Sequence, residues 1–440
     1  MNRLLFLSLG LWLSANALSA QEKADKMDKL VVQRSIQQIS KAIRENYVYP
    51  DKAISITDFL NSQYKSGTYS QLNTYPEFAD KITEDIRSVQ DDRHLRVEYN
   101  PKLEADIIRF NRSQEGKNAI TKTDISAERS QNFFFRKLEI LPANIGYIEF
   151  TNFALPSPEA QKTIQHALQF VANTDALIID LRNNRGGSGR SNNILGYFFK
   201  ERIKTGKSYR RITNSWTENF VEPAEFFLGQ PVYVLTSKRT FSAAEGFAYI
   251  LQNQRNATLI GEPTNGGAHL TRSFSLGDGF VGFIPYARSE NEKTRTDWEG
   301  TGVIPTIKIT ADNALLAAQN QILNVKLTKA DETEKRKIQW LINFNQSKTS
   351  EIIPDSTEFK NLTGRFAEFE ITSKGGKLYF RDVNQASKTR FPMIPISSLL
   401  FQVGGDYQVE FVDKLDEKFQ AINVSWSDGW TEKIKRSTED

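Results

Sequence analysis

Between residues 28 and 92 apolar positions recur at helical spacing. Val32, Ile36, Ile39 and Ile43 fall four, three and four residues apart, and Phe78, Ile82, Ile86 and Val89 repeat the pattern. Such spacing lines one face of an α-helix. Tyr49-Pro50-Asp51 and Lys65-Ser66-Gly67 interrupt it as turns. This stretch predicts a small helical domain ending near Asp91. From about residue 133 the pattern changes. Ile145 to Phe150 alternates like a half-buried strand, and Ala176 to Leu181 is a continuous apolar run holding Asp180 near its end. Pro231 to Thr236 and Ala257 to Ile260 are further runs of that kind, with helical stretches expected over 158–172, 190–199 and 242–254. Strands alternating with helices predict an α/β layer domain. Residues 313–344 read as helical, followed by a polar linker from Ser347 to Thr357. Beyond about 358, short alternating runs separated by Lys374-Gly375-Gly376-Lys377, Gly404-Gly405 and Asp428-Gly429 predict hairpins and a small all-β module.

The first twenty residues stand apart. Asn2 and Arg3 precede an apolar run from Leu4 to Leu13, and small residues around Ala17 and Ala20 follow. That order is a secretory signal peptide, so the protein is expected to be exported to a bacterial periplasm or exterior. The expected organisation is therefore a signal peptide over 1–20, a helical domain over 21–95 and an α/β core over 96–312. A helix and linker over 313–357 and a β module over 358–440 complete it. No later run of eighteen apolar residues occurs, so no membrane insertion is expected after signal cleavage. The 57 Lys and Arg against 53 Asp and Glu leave a net charge of only +4, with no basic stripe interleaved with aromatics. Nucleic-acid binding is not expected on that basis. With no cysteine, disulfides, thiol catalysis and thiolate metal sites drop out.

Few residues can carry hydrolytic chemistry near neutral pH, where imidazole is the natural base. There are three histidines, His94, His166 and His269. His166 sits inside a predicted helix with no polar cluster and reads as a surface or packing residue. His94 follows Asp91-Asp92-Arg93 where the helical domain gives way to a strand, either facing a cleft or solvated in a turn. Ser242 lies between a buried strand and a helix, in Thr240-Phe241-Ser242-Ala243-Ala244-Glu245. Helix-start N–H groups there favour an oxyanion, although serine is also an ordinary N-cap. Asp180 to Gly189 follows the central strand, and its paired glycines suit a tight loop whose N–H groups face a pocket.

Four ordered segments resemble the tail-specific, or C-terminal-processing, serine protease family. Ile178-Ile179-Asp180-Leu181-Arg182-Asn183-Asn184-Arg185-Gly186-Gly187 resembles its IDLRxNxGG signature, and Ser242-Ala243-Ala244-Glu245 its SAxE nucleophile segment. Gly261-Glu262-Pro263-Thr264-Asn265-Gly266-Gly267 is similar to GExTxGG, and Gly302-Val303-Ile304-Pro305-Thr306 to the closing GVxPD strand. The resemblance implies a crotonase-like spiral core and peptide-bond hydrolysis without metal or cofactor, acting on a peptide or unfolded protein. Gly267 stands where processing members carry a catalytic lysine. The chain instead resembles the branch of the tricorn protease core and the interphotoreceptor retinoid-binding protein repeats, whose helical domain ends in a DxH segment like Asp92-Arg93-His94. The resemblance then implies Ser242 as nucleophile, His94 as base and Glu299 as the third member. Arg93 replaces the serine that links the last two in tricorn. The N–H groups of Gly187 and Ala243 are then expected to hold the oxyanion, and Glu245, one helical turn past Ser242, is read as a supporting rather than a catalytic residue. The rival reading is a non-catalytic carrier of apolar ligands on the same fold.

Overall fold

The computed structural model describes residues 28–112, 122–187, 192–384 and 389–437. The expected signal peptide, and Ser188 and Gly189 of the glycine loop, lie outside the described residues. The chain divides into two units. One comprises residues up to Thr121 with Lys204–Phe220 and Gly266–Gly300; the other comprises Lys122–Ile203, Val221–Asn265 and the chain from Thr301.

The first unit begins with helices whose limits follow from local chemistry. Lys29–Asn46 starts where the Asp28 carboxylate accepts the Leu30 N–H at 2.9 Å. Pro50 opens Pro50–Lys65, a position where its missing N–H costs nothing. Thr74 and Glu77 form a capping box at the start of Tyr75–Val89. The periodic residues are the buried face: Val32, Ile36, Ile39, Ile43, Phe78, Ile82 and Ile86 all leave solvent. They share one core with Leu95, Val97, Phe280 and Ile284. Val97, Phe280 and Ile284 come from an antiparallel sheet that the helices cover, and Leu95 immediately precedes its first strand. Arg96–Tyr99 pairs with Phe280–Asn291, which also pairs with Leu270–Gly277 and Ile203–Arg210, and Ser215–Val221 lies at the far edge.

The second unit contains the expected α/β layer. Ile145–Phe150, Ala176–Asp180, Val232–Thr236, Thr258–Gly261 and Ile307–Lys308 pair in parallel in that order, and Phe135–Leu141 adds an antiparallel edge. Ala176–Asp180 and Val232–Thr236 are buried at every position, as strands covered on both faces must be. Helices Pro158–Phe170 and Ala243–Arg255 form two of the crossovers. Asp180 and Leu235 are register partners, so the loops after both central strands leave the same sheet edge. In open parallel sheets that carboxyl edge is where ligands bind.

Helices Ala314–Leu327 and Glu332–Ser347 follow, then an eight-stranded antiparallel sheet whose strands pair in sequence order from Gly364–Phe366 to Thr431–Lys435. Phe366, Phe380, Phe401 and Phe411 centre its separate core. Helix Glu332–Ser347 meets this sheet through polar contacts: the Trp340 indole N–H donates to the Ser425 carbonyl at 3.2 Å, and the Gln408 amide donates to the Trp340 carbonyl at 2.8 Å. Among the described residues no helix is long and apolar enough to cross a membrane.

Candidate active site

In the second unit, Ser242 occupies the N-cap of helix Ala243–Arg255 with φ 55° and ψ −118°. An L-residue avoids this backbone region at a cost on the order of 1–3 kcal/mol. Such sharp strand-to-helix turns project a nucleophile from the sheet edge. Glu245, fully buried, holds the turn: its Oε2 accepts the Ser242 N–H at 2.7 Å and its Oε1 accepts the Thr264 hydroxyl at 2.5 Å. The Thr264 hydroxyl oxygen in turn accepts the Val303 N–H at 2.7 Å. The glutamate and threonine of two separate sequence motifs are thus one brace behind Ser242.

The glycine loop lies directly against this turn. Asn184 fixes it, accepting the Gly186 N–H on its side chain at 2.9 Å and the Phe241 N–H on its carbonyl at 3.1 Å. Gly186 has φ +97°, and a Cβ there would fall 2.8 Å from the Phe241 carbonyl and 2.9 Å from Ser242 Cβ. Gly187 has φ +139°, and a Cβ would fall 2.3 Å from the Phe153 carbonyl. Only glycine fits either position. Asp180, at the strand end, is buried in a two-armed pair with Arg182 and accepts the Tyr147 hydroxyl at 2.7 Å. The Arg182 carbonyl takes the Ser237 hydroxyl at 2.6 Å, tying the two loops together.

The first unit holds a buried polar cluster. His94 and Asp92 are both buried, and Asp92 Oδ1 accepts the His94 backbone N–H at 3.0 Å. Asp92 Oδ2 lies 2.7 Å from His269 Nδ1 and accepts the Tyr47 hydroxyl at 3.1 Å. With a carboxylate as acceptor, His269 Nδ1 carries the proton. Glu299 Oε2 accepts the N–H groups of Ala268 and His269 at 2.6 and 3.2 Å. It lies 3.4 Å from His269 Nδ1. One side-chain atom each from Asp92, His94 and Glu299 falls within 4.8 Å of the others. The Trp298 indole donates to the Gly267 carbonyl at 3.1 Å, and the Gly300 N–H to the Gly266 carbonyl at 2.9 Å, bracing the segment that carries Glu299.

Burial and charge divide the protons of this cluster. Burial pushes the His94 imidazole down to about 4, although Asp92 opposes it. Burial alone would raise Asp92, but the hydrogen bond and charge of His269 bring it below its ordinary value. His269 moves up: burial works against its cation, and the bond and charge of Asp92, with Glu299 and Asp297, outweigh it. Glu299 is raised to about 7, first by burial and then by Asp92, with His269 pulling the other way. The surroundings thus hold His94 toward its neutral form and His269 toward its charged one. Two carboxylates and an imidazole are donor types that a divalent ion accepts. Both Asp92 oxygens are already engaged by protein donors, however, so the cluster has the character of a proton-sharing network.

Comparison with known proteins bears on the family of the two regions that carry these residues. Residues 144–309 match the model described as peptidase family S41, and residues 17–134 match that of the N-terminal domain of this peptidase in eukaryotic IRBP. Residues 144–309 are thus a region of the peptidase family S41 type. Over 168 residues it is 30% identical to the chloroplastic carboxyl-terminal-processing peptidase 2 of Arabidopsis thaliana, a match covering 37% of this chain and 31% of the relative. Over 165 residues it is 32% identical to the carboxyl-terminal-processing protease of a Synechocystis species, covering 37% of each. The match thus spans about a third of the length of these curated relatives. Among solved structures, the photosystem II D1 C-terminal processing protease aligns at TM-score 0.41 and 15% identity, over 64% of this chain and 94% of that one.

Of the residues singled out in the sequence, Ser242, Ala243, Gly187 and Glu245 meet in the second unit; His94 and Glu299 meet in the first. His166 is exposed on helix Pro158–Phe170. Sequence reasoning passed over His269 and the individual part of Asp92. Both stood within segments already marked, Asp92 in the DxH segment and His269 two residues beyond Gly267. Glu299 hydrogen-bonds to His269 through that residue's main chain, an arrangement that no motif announces.

Proposed function

We propose that this protein is an exported serine peptidase in which Ser242 is the nucleophile, His94 the general base and Glu299 the carboxylate that orients it. Ser242 Oγ bonds to the scissile carbonyl carbon while His94 takes its proton. The oxygen of the tetrahedral intermediate gains hydrogen bonds from the N–H groups of Gly187 and Ala243, donors of a kind worth about 100- to 1,000-fold in rate each. His94 then gives the proton to the leaving amine, and water, activated by the same imidazole, hydrolyses the acyl-enzyme. The observation that carries the reading is the turn at Ser242, a helix-start serine with a strained backbone pressed against a glycine loop. A neutral His94 is in the protonation state a base requires. The names of the relatives support the carboxyl-terminal part of a polypeptide as substrate, and the N-terminal charge-apolar-small pattern supports export after cleavage near Ala17 or Ala20.

Reaction with a fluorophosphonate probe, followed by mapping of the modified residue, tests this. Labelling at Ser242, with loss of fluorescein-casein hydrolysis in a folded Ser242→Ala, is the expected result. Labelling elsewhere, or hydrolysis retained in Ser242→Ala, overturns it. The match of residues 17–134 to the IRBP-type N-terminal domain favours a second reading, an apolar-ligand carrier. That reading predicts retinol binding with no probe labelling.

A further inference from the structure

His269 has no part in the proposed reaction, yet it is the hub of the cluster around Asp92 and Glu299. Its side chain is completely buried, as is that of Asp92. Its ring meets Tyr49 edge-on with centroids 5.5 Å apart, and its Nε2 lies 3.4 Å from the Tyr49 hydroxyl. Ring nitrogen Nδ1 stands between two carboxylates, 2.7 Å from Asp92 and 3.4 Å from Glu299. Backbone N–H groups of His269 and Ala268 grip the same oxygen of Glu299. The other oxygen, Oε1, is buried without a hydrogen-bond partner among the described residues.

We propose that His269 is a positioning residue: clamped by Asp92, it fixes both the direction and the charge of the Glu299 carboxylate, leaving Oε1 as the oxygen for the His94 imidazole. The inference rests on the catalytic reading of His94 and Glu299. Its physical basis is simple. Two carboxylates this close and this buried repel unless a cation lies between them. A protonated His269 supplies that cation, whereas a neutral ring satisfies Asp92 alone. The groups facing it favour the cation. Asp297 adds a third negative charge, while Tyr47 donates a neutral hydrogen bond to Asp92. On the far side of Tyr49 stands Arg288, whose guanidinium lies 5.2 Å from that ring. Burial keeps His94 neutral against the pull of Asp92, and the charges of His269 and then Arg96 act in the same direction as burial.

The test reads the pH dependence of fluorophosphonate labelling and of fluorescein-casein turnover in His269→Gln. Loss of the cation should move the acidic limb of labelling upward by about one unit or more. It should lower kcat by about tenfold or more with little change in KM, as loss of orientation at a general base does. A 15N spectrum of the imidazoles reports the same coupling without a variant at 269. His269 should be doubly protonated at neutral pH, and in Glu299→Gln its pKa should fall, because coupling between two sites is reciprocal. An unmoved limb in folded His269→Gln, or a neutral His269 in the wild-type spectrum, overturns the proposal. If His269→Gln does not fold, the spectra alone decide it. Turnover retained in His94→Ala sinks the catalytic reading instead, a separate outcome from either of these.

Discussion

At the scale of single residues, His94 and Glu299 exchange the roles their ordinary pKa values would assign. A carboxylate neighbour ordinarily raises a histidine, but burial dominates here and takes His94 to about 4. It therefore contributes no ionisation near its reference value of about 6.5. Glu299, raised to about 7, is the group that changes charge near neutrality. If the reaction needs its carboxylate, kcat/KM rises with pH through about 7, and Glu299→Gln abolishes that limb while lowering kcat. The pH profile of probe labelling for both proteins checks this. The same shifts act on stability with opposite signs. Glu299 is raised on folding, so its contribution is complete below its ordinary 4.5 and is lost as pH rises through about 7. His94 is lowered, so its contribution is present above 6.5 and lost as pH falls through about 4. Ser242, His94 and Glu299 could be singled out because each lies in or just before a short ordered motif. His269 could not, because what gives it meaning is Asp92, 177 residues away.

At the scale of elements, the glycine loop and the turn at Ser242 act as one part. Gly186→Ala would place a methyl group 2.8 Å from the Phe241 carbonyl at a φ of +97°. The expected outcome is a loss of probe labelling by about 100-fold or more, comparable to losing an oxyanion donor, with the far-ultraviolet circular dichroism unchanged. Labelling within a factor of about three, under 1 kcal/mol in activation energy, would mean the loop tolerates displacement and has no part in holding charge. The buried strands Ala176–Asp180 and Val232–Thr236 were readable as apolar runs, and the helices Lys29–Asn46 and Tyr75–Val89 from hydrophobic period. The antiparallel sheet of the first unit was not. Ser215–Val221 is mostly exposed, and Leu270–Gly277 buries only Leu276, so neither offers an apolar run for the eye to find.

At the scale of the whole molecule, apolar patterning marks where elements lie, but not which distant segments come together. The grouping of Lys204–Phe220 and Gly266–Gly300 with the N-terminal helices emerges only from packing. The C-terminal sheet is different, since its strands pair in sequence order and its hairpin turns were visible as glycine pairs. It has its own core, and Phe401 at its centre is fully buried. Phe401→Ala should destabilise that module by about 3–5 kcal/mol, seen as a separate lower-temperature calorimetric transition. Labelling of Ser242 should remain at the wild-type rate below that transition. A single transition shifted as a whole would show instead that the sheet and the α/β layer unfold cooperatively.

The backbone of Ser242 has an evolutionary consequence. A side chain held at φ 55° and ψ −118° keeps part of the molecule's folding free energy in reserve. Glycine adopts that conformation readily. Ser242→Gly should therefore melt at a higher temperature than the wild type while losing all turnover, whereas Ser242→Ala, which keeps the Cβ, should gain little. Inactivation at this position is thermodynamically downhill. A lineage released from selection for hydrolysis would be free to drift toward glycine at position 242, with its fold improved.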